Sequence, residues 1–278
     1  MPANVSYEDY DAISRTYDSG RIPLGAEEEL EALADHFGVD KVKALTVLDA
    51  GCGTGNFLAV FQPKVKQVFG LDLSDGMLSK ARAKTAGCDN VTLQKGSLLE
   101  KFPFEDGSLD AVVNNHVLHH LVEGENRFEN VRTFVSSASQ ALRRGGLLMI
   151  NTTSPQQNQK SFWWRPIMPE AMERMDGRLI SHEKLSEILA ETGFAIRRVI
   201  CMTDYLGTDD VYRNLDGPLD KHWRDLDSTW ALSTPHELNR GLDWYRSLSL
   251  DKKRQNFANY DQGRLKEGVQ NIFIAEKL

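Results

Sequence analysis

The chain has 278 residues, of which 41% are hydrophobic and 26% are charged. These proportions are ordinary for a folded domain of enzyme size, and they exclude low-complexity disorder and collagen-like structure. The 33 basic residues are outnumbered by 40 acidic ones, which gives a net charge of −7. We therefore expect no nucleic-acid partner, because proteins that bind nucleic acid usually carry a basic surface that neutralises phosphates.

The sequence also indicates the compartment. The amino-terminal residues MPANVSYEDYDAIS lack the basic and apolar regions of a signal peptide. No window approaches 18 uninterrupted apolar residues, so no membrane association is expected. Three scattered cysteines, Cys52, Cys88 and Cys201, favour a reduced cytoplasmic protein over a disulfide framework or a metal site. We expect a monomer or a homodimer.

Short β-branched runs alternate with amphipathic helical stretches along the chain, which predicts an α/β fold. We expect a Rossmann-like, mostly parallel sheet of seven strands with helices on both faces. The predicted strands are Thr46–Ala50, Gln67–Leu73, Val91–Gly96, Asp110–Asn115, Leu147–Thr152, Ala195–Met202 and Asn271–Glu276.

Helices are predicted between these strands. The segment Gly25–Phe37 places apolar residues on one helical face, and Ser74 and Ser181 are suited to cap two further helices. An apolar helical pattern over Phe128–Leu142 is expected to end at Gly145-Gly146.

Two longer stretches interrupt the alternation, Pro155–Gly177 and the segment from Leu206 to about Glu267. The second is too long for a loop, and Thr234 begins a capping box that predicts a helix within it. Both are expected to form a helical, aromatic-rich cap, because they contain all five tryptophans: Trp163, Trp164, Trp223, Trp230 and Trp244. We predict one domain over 1–278, divided into a lid helix (1–24), a cofactor-binding core (25–154), cap insertions (155–180 and 206–267) and the rest of the core (181–205 and 268–278).

The most informative motif is VLDAGCGTGNF, at Val47–Phe57. A hydrophobic strand leads into Asp49, and three glycines then follow at alternate positions, which lets backbone amides approach a ligand closely. The spacing differs from the G-x-G-x-x-G fingerprint of dinucleotide-binding proteins, and the lysine and hydroxyl residue of a phosphate-binding P-loop are missing. The pattern is D-x-G-x-G-x-G.

This motif resembles the first motif of class I S-adenosylmethionine-dependent methyltransferases. Further segments resemble the same family: Asp72 in GLDLS, the turn Phe102–Asp110, and Gly145-Gly146 before a strand. Asn115–Leu121 (NHVLHHL) is similar to a segment of the small-molecule branch typified by quinone-biosynthesis methyltransferases. The resemblance covers about Leu45 to Glu191, together with the last strand.

The resemblance implies S-adenosyl-L-methionine as cofactor and S-adenosyl-L-homocysteine as product. Gly51 and Gly53 would line the methionine end, and Asp72 would bind the ribose. Ser97 stands where most relatives have an aspartate at the adenine, which leaves that contact in doubt. The implied cofactor-binding residues are Tyr10, Tyr17, Arg21, Asp49, Gly51, Gly53, Asp72, Leu73, Ser97, Leu98, Asn115 and His116.

The amino-terminal segment resembles a helix that closes over the cofactor in this branch. Tyr10 and Tyr17 are seven residues apart and share one helical face, and Arg21 could pair with the methionine carboxylate. The alternative is an amphipathic surface helix with a solvated arginine.

Catalytic and acceptor-binding residues are less strongly indicated. His116 follows a strand at its carboxyl end, where ligands gather in open α/β sheets, and it is the candidate catalytic base. His120, Trp163 and Trp164 are the predicted substrate pocket. A structural role for the histidines, and a purely hydrophobic core for the tryptophans, remain open alternatives.

The sequence therefore predicts a methyltransferase that transfers a methyl group to a small-molecule acceptor by in-line displacement. The alternative is a catalytically silent regulatory or scaffolding protein that binds S-adenosylmethionine or S-adenosylhomocysteine. An oxidoreductase with a nicotinamide cofactor is disfavoured by the glycine spacing.

Overall fold

The computed structural model describes residues 22–122, 128–205 and 207–278. The predicted α/β fold is confirmed, because seven strands within these residues form one sheet in the order β3-β2-β1-β4-β5-β7-β6. Among these strands, β7 alone is antiparallel to its neighbours, β5 and β6. The strands are β1 (Thr46–Ala50), β2 (Gln67–Asp72), β3 (Val91–Lys95), β4 (Leu109–Asn115), β5 (Leu142–Thr152), β6 (Phe194–Met202) and β7 (Gln270–Lys277).

Helices connect the strands and cover the sheet. Through β6 they are α1 (Ala26–Phe37), α2 (Asn56–Phe61), α3 (Asp75–Lys84), α4 (Leu118–Leu121), α5 (Glu129–Ala141), α6 (Pro155–Ser161), α7 (Pro169–Asp176) and α8 (His182–Glu191). Between β6 and β7 they are α9 (Asp209–Arg213), α10 (Lys221–Arg224), α11 (Pro235–Ser247) and α12 (Leu250–Glu267). Short 3-10 turns complete the connections, including one at Ser228–Leu232.

The predicted helix caps form as the sequence indicates. The Ser74 hydroxyl accepts a hydrogen bond from the Met77 amide, and the Ser181 hydroxyl accepts one from the Lys184 amide. Thr234 and Glu237 form a reciprocal capping box at the start of α11. Each bond satisfies an amide that has no partner within its own helix.

The start of β5 differs from the sequence prediction. Helix α5 ends at Ala141 and β5 begins at Leu142, so Gly145-Gly146 lies inside the strand and does not end the helix. A Cβ on Gly146 would lie 2.9 Å from the carbonyl oxygens of Arg143 and Asp110. The glycine permits this close backbone approach where the pairing of β4 with β5 changes register.

Clusters of buried apolar residues lie on both faces of the sheet. On β1, Val47 belongs to one buried cluster and Leu48 to the other, as strand alternation requires. The cluster containing Val47 also contains Trp163, Trp164 and aromatic residues from the connection between β6 and β7. The helices around Trp163 and Trp164 and the helices between β6 and β7 therefore pack together over one face of the sheet. None of the described helices is long and apolar enough to cross a membrane.

Candidate functional site

The glycine motif forms a tight loop at the carboxyl end of β1. Gly51, Gly53 and Gly55 all have positive φ, at 90°, 52° and 84°. A Cβ at Gly51 would lie 2.5 Å from Cγ2 of Val117, so a larger residue does not fit there. At Gly53, no described atom beyond its chain neighbours lies within 4 Å of a built Cβ. The loop therefore presents open backbone at Gly53.

The carboxylate of Asp72 lies against this loop. Its Oδ2 accepts a hydrogen bond from the Gly53 amide at 2.8 Å, and its Oδ1 accepts one from the Ser74 amide at 2.9 Å. The amides of Gly51 and Cys52 both donate to the carbonyl of Leu71. The ends of β1 and β2 are thus joined, and the structure brings Asp72 to the glycine loop as the sequence predicts.

Two further candidates stand at the end of β4. Asn115 is its last residue, and the next residue, His116, is the one non-glycine residue with positive φ in the described part of the chain, at 57°. Such a backbone conformation is unfavourable for a residue with a side chain, and it occurs preferentially at functional sites. The His116 amide donates to the carbonyl of Asn151, which fixes the turn after the strand.

Two carboxyl groups are buried beneath the loop. Burial, followed by the charge of Asp72, raises the pKa of Asp49 to about 8. Burial also raises the pKa of Glu29, which accepts a hydrogen bond from the Asn115 amide and feels the charge of Asp49. Burial disfavours the ionised form of both groups, and for Glu29 this outweighs the hydrogen bond from Asn115, so both hold their protons to a higher pH than exposed acids do.

A cavity opens in front of these strand ends. One side, which we call the loop wall, includes Asp49, Gly51, Gly53, Asn115 and His116. His119 and His120 continue the lining of this side from α4, and their ring centroids are 4.0 Å apart.

A second part of the lining, which we call the helical wall, comes from segments outside the sheet and includes Phe162, Tyr205 and Leu226–Thr229. Asp227 is held there by two hydrogen bonds: its Oδ2 accepts one from Nε1 of Trp164 at 3.1 Å, and its Oδ1 accepts one from the Thr229 amide at 2.9 Å. The helical wall therefore combines aromatic surface with a fixed carboxylate and hydroxyl groups.

The structure places Trp163 and Trp164 away from this cavity. Both side chains are completely buried, and their rings pack edge to face with centroids 5.7 Å apart. The Trp163 indole donates to the carbonyl of Tyr212, while the Trp164 indole donates to Asp227. Their predicted position in the substrate pocket is therefore wrong for the described structure: neither indole lines the cavity, Trp164 touches it only through its hydrogen bond to Asp227, and their neighbour Phe162 is a lining residue instead.

The remaining predicted cofactor residues lie elsewhere. Leu73 follows β2, and Ser97 and Leu98 follow β3; none of the three lines the cavity, and Leu73 is 67% exposed while Leu98 is buried. The Ser97 hydroxyl accepts a hydrogen bond from the Leu99 amide. Tyr10, Tyr17 and Arg21 lie outside the described residues.

Several residues of the site carry no signal in the sequence. Glu29 lies in an ordinary amphipathic helix, and Asp227 and Thr229 belong to an acidic stretch that is typical of solvated surface. The sequence shows Phe162 as an aromatic neighbour of the two tryptophans. Which of these three aromatic residues lines the cavity depends on packing.

Comparison with known proteins agrees with this geometry. A family model described as a methyltransferase domain matches residues 48–150. A "Probable S-adenosylmethionine-dependent methyltransferase" of Mycolicibacterium smegmatis is 29% identical over 150 residues, which cover 54% of this chain and 52% of the relative. A demethylmenaquinone methyltransferase of Staphylococcus aureus is 30% identical over 115 residues, covering 40% of this chain and 44% of the relative. The chain thus spans about half the length of these two relatives.

Solved structures share the fold. A "Putative methyltransferase from antibiotic biosynthesis pathway" of Anabaena variabilis has a TM-score of 0.69 at 17% identity and covers 95% of this chain and 99% of its own. Geranyl diphosphate C-methyltransferase of Streptomyces coelicolor was solved in complex with S-adenosylhomocysteine. It has a TM-score of 0.52 at 18% identity, and the match covers 91% of this chain and 76% of the neighbour. The solved structures show a shared fold, and the sequence matches over residues 48–150, together with the glycine loop, support the resemblance to class I S-adenosylmethionine-dependent methyltransferases and S-adenosylmethionine as the cofactor.

Proposed function

We propose that the protein is a methyltransferase that binds S-adenosylmethionine at the glycine loop and transfers its methyl group to a small molecule in the adjoining cavity. The observation that carries this proposal is the hydrogen bond from the Gly53 amide to Asp72. It joins an open glycine loop to a carboxylate at the next strand end, beside a cavity that extends to the helical wall.

The polar groups at the loop wall fit this cofactor. Asp49 Oδ2 and Asn115 Oδ1 are buried without a hydrogen-bond partner among the described residues. Buried polar atoms are usually paired, and the ammonium group of the methionine moiety is a donor of the required kind. The Asp72 carboxylate can accept hydrogen bonds from ribose hydroxyls, and Ser97 and Leu98 are the proposed adenine contacts.

When bound, the cofactor would supply an electrophilic methyl group on a sulfonium; an acceptor atom attacks the methyl carbon in line, the bond from that carbon to sulfur breaks, and S-adenosylhomocysteine is the leaving group. The protein has to orient the two reactants and exclude water. Phe162 and Tyr205 offer apolar surface for the acceptor, and Asp227, Ser228 and Thr229 offer hydrogen bonds to it. Where the acceptor atom carries a proton, the imidazole of His116 is the proposed base, and His120 also lines the cavity.

Two comparisons support a small-molecule acceptor. The Streptomyces coelicolor neighbour was solved with geranyl-S-thiolodiphosphate, and the Staphylococcus aureus relative is named for demethylmenaquinone. The cavity of this chain has the mixed apolar and polar lining that is typical of small-molecule sites.

The test has two stages. Calorimetric titration with S-adenosylmethionine and S-adenosylhomocysteine is expected to show binding of both, and failure to bind either would remove the proposal. Incubation with S-adenosylmethionine and a panel of phenols, amines, thiols and carboxylic acids is then expected to release S-adenosylhomocysteine with one acceptor class. Binding without release across the panel would favour the silent cofactor-binding alternative.

A further inference from the structure

Glu29 is a buried carboxyl group that lies outside every motif of the domain. It sits in the first turns of α1 and its side chain is 0% exposed, whereas Glu27 on the same helix is exposed. A leucine or methionine of similar size would fill this volume without the cost of burying a carboxyl group. Packing alone therefore does not explain a glutamate at this position.

The start of α1 is fixed on the sheet, and this determines where Glu29 lies. The carbonyl of Leu24 accepts hydrogen bonds from the side-chain amides of Asn151 on β5 and Gln270 on β7. Gly25 follows with φ of 100°, and a Cβ there would lie 2.8 Å from Nδ2 of Asn151. The helix therefore begins in close contact with the strand ends beside the loop wall.

From this position Glu29 reaches Asn115. Its Oε2 accepts a hydrogen bond from Nδ2 of Asn115 at 3.3 Å. With Nδ2 turned toward Glu29, the carbonyl oxygen Oδ1 of Asn115 is buried and lacks a partner among the described residues. Asn115 lines the cavity beside Asp49 and Gly51, so this oxygen is an available acceptor at the methionine end of the proposed cofactor site.

We propose that Glu29 is a positioning residue, which holds the Asn115 amide so that its carbonyl oxygen accepts a hydrogen bond from the bound cofactor. This inference rests on the proposed function and assigns Glu29 to the same site. Glu29 acts through Asn115. The contact needs an acceptor on residue 29 and does not need a negative charge, so a glutamine can replace it.

The experiment is calorimetric titration of S-adenosylmethionine into the full chain and its variants. Glu29→Leu is expected to weaken binding about tenfold, the scale of one hydrogen bond lost at a buried site. Glu29→Gln is expected to bind within about twofold of the unmodified chain, because its carbonyl oxygen accepts the same hydrogen bond. Glu27→Leu, which changes an exposed glutamate of the same helix, is the matched control and is expected to have no effect.

A double substitution tests whether Glu29 acts through Asn115. Asn115→Ala is expected to weaken binding, and adding Glu29→Leu to it is expected to weaken binding no further. Unchanged binding by Glu29→Leu, or a full additional loss in the Asn115→Ala background, would overturn the proposal.

Weak binding by a Glu29 variant could also arise because the unmodified chain binds no cofactor or because the variant does not fold. Two further measurements distinguish these cases from a loss of positioning. If the unmodified chain binds neither S-adenosylmethionine nor S-adenosylhomocysteine, the proposed function itself fails. Thermal unfolding is measured for each variant, with Glu29→Met as a second apolar substitution. If both apolar variants fail to fold, the carboxyl group is needed for folding, which contradicts a role in positioning alone.

Discussion

The two walls of the cavity are built in different ways. The loop wall is made from the ends of parallel strands, where backbone amides and short polar side chains are fixed by local turns, as in the bond from Gly53 to Asp72. The helical wall is made from segments far apart in sequence, Phe162, Tyr205 and Leu226–Thr229, which meet through the aromatic cluster. The loop wall therefore depends on local sequence, and the helical wall depends on how helices pack.

The comparison shows that abundance of one residue type does not reveal its role. The tryptophans are concentrated in the segments that form the helical wall. Trp163 and Trp164 are nevertheless completely buried and do not line the cavity. The side chains that reach the cavity are a phenylalanine, a tyrosine and a short polar run. Substitutions can test whether the buried tryptophans stabilise the fold while the residues that line the cavity affect binding.

The largest effect is expected for Trp164→Ala. It removes a completely buried indole and its hydrogen bond to Asp227, so the free energy of unfolding should fall by about 3–5 kcal/mol. Trp244 is 41% exposed, and Trp244→Ala is the control, expected to cost less than about 1 kcal/mol. Urea denaturation measures both. A variant Trp164→Ala with unchanged stability would contradict the supporting role.

Asp72→Ala tests the loop wall directly. The Gly53 and Ser74 amides lose their acceptor, and the proposed ribose contact is lost with it. We expect the affinity for S-adenosylhomocysteine to fall by about 1–3 kcal/mol, measured by calorimetry. The exposed neighbour Asp75, changed to alanine, is the control. Equal affinities for the two variants would show that Asp72 does not hold the cofactor.

Asp49→Asn tests the burial of a carboxyl group at the loop wall. The pKa of Asp49 is raised from 3.8 to about 8, so between these pH values the unfolded chain releases a proton that the folded chain retains. Folding stability therefore falls as pH rises through this window, and it is fully retained only below it. Asp49→Asn removes this loss, so its stability relative to the unmodified chain should rise by several kcal/mol between pH 5 and pH 9, at about 1.4 kcal/mol for each pH unit below the raised pKa.

Urea denaturation at pH 5 and pH 9 gives the comparison for Asp49. The advantage of the asparagine variant should grow with pH, because the other titrating groups are common to both chains. An advantage that is constant across this range would show that Asp49 does not titrate within it.

Phe162→Leu should have the smallest effect on cofactor affinity. Phe162 contributes to the helical wall, so S-adenosylhomocysteine should bind within about twofold of the unmodified affinity, a change of less than about 0.5 kcal/mol. The measurement is the same titration as for Asp72. A tenfold loss of affinity for S-adenosylhomocysteine would show that the helical wall contacts the cofactor as well as the acceptor.

The fold was largely predictable because each element carries a local signal. β1 and the caps at Ser74, Ser181 and Thr234 occur where hydrophobic runs and capping residues place them. The beginning of β5 was not predictable, since Gly145-Gly146 is a helix-ending signal that the close approach of β4 overrides. For the site, the sequence pointed to Asp49, the glycines and Asp72, which the structure brings together at the ends of β1 and β2, but it carried no signal for Glu29 or Asp227.

By itself, the sequence determined the alternation of strands and helices and the glycine loop, because strand periodicity, capping and positive φ are properties of residues close together in the chain. Which aromatic side chain lines the cavity, and the contact of Glu29 with Asn115, depend on the three-dimensional packing of the elements. These contacts join residues that are far apart in sequence, such as Glu29 with Asn115 and Trp164 with Asp227. They depend on close packing of whole elements, which no local pattern encodes.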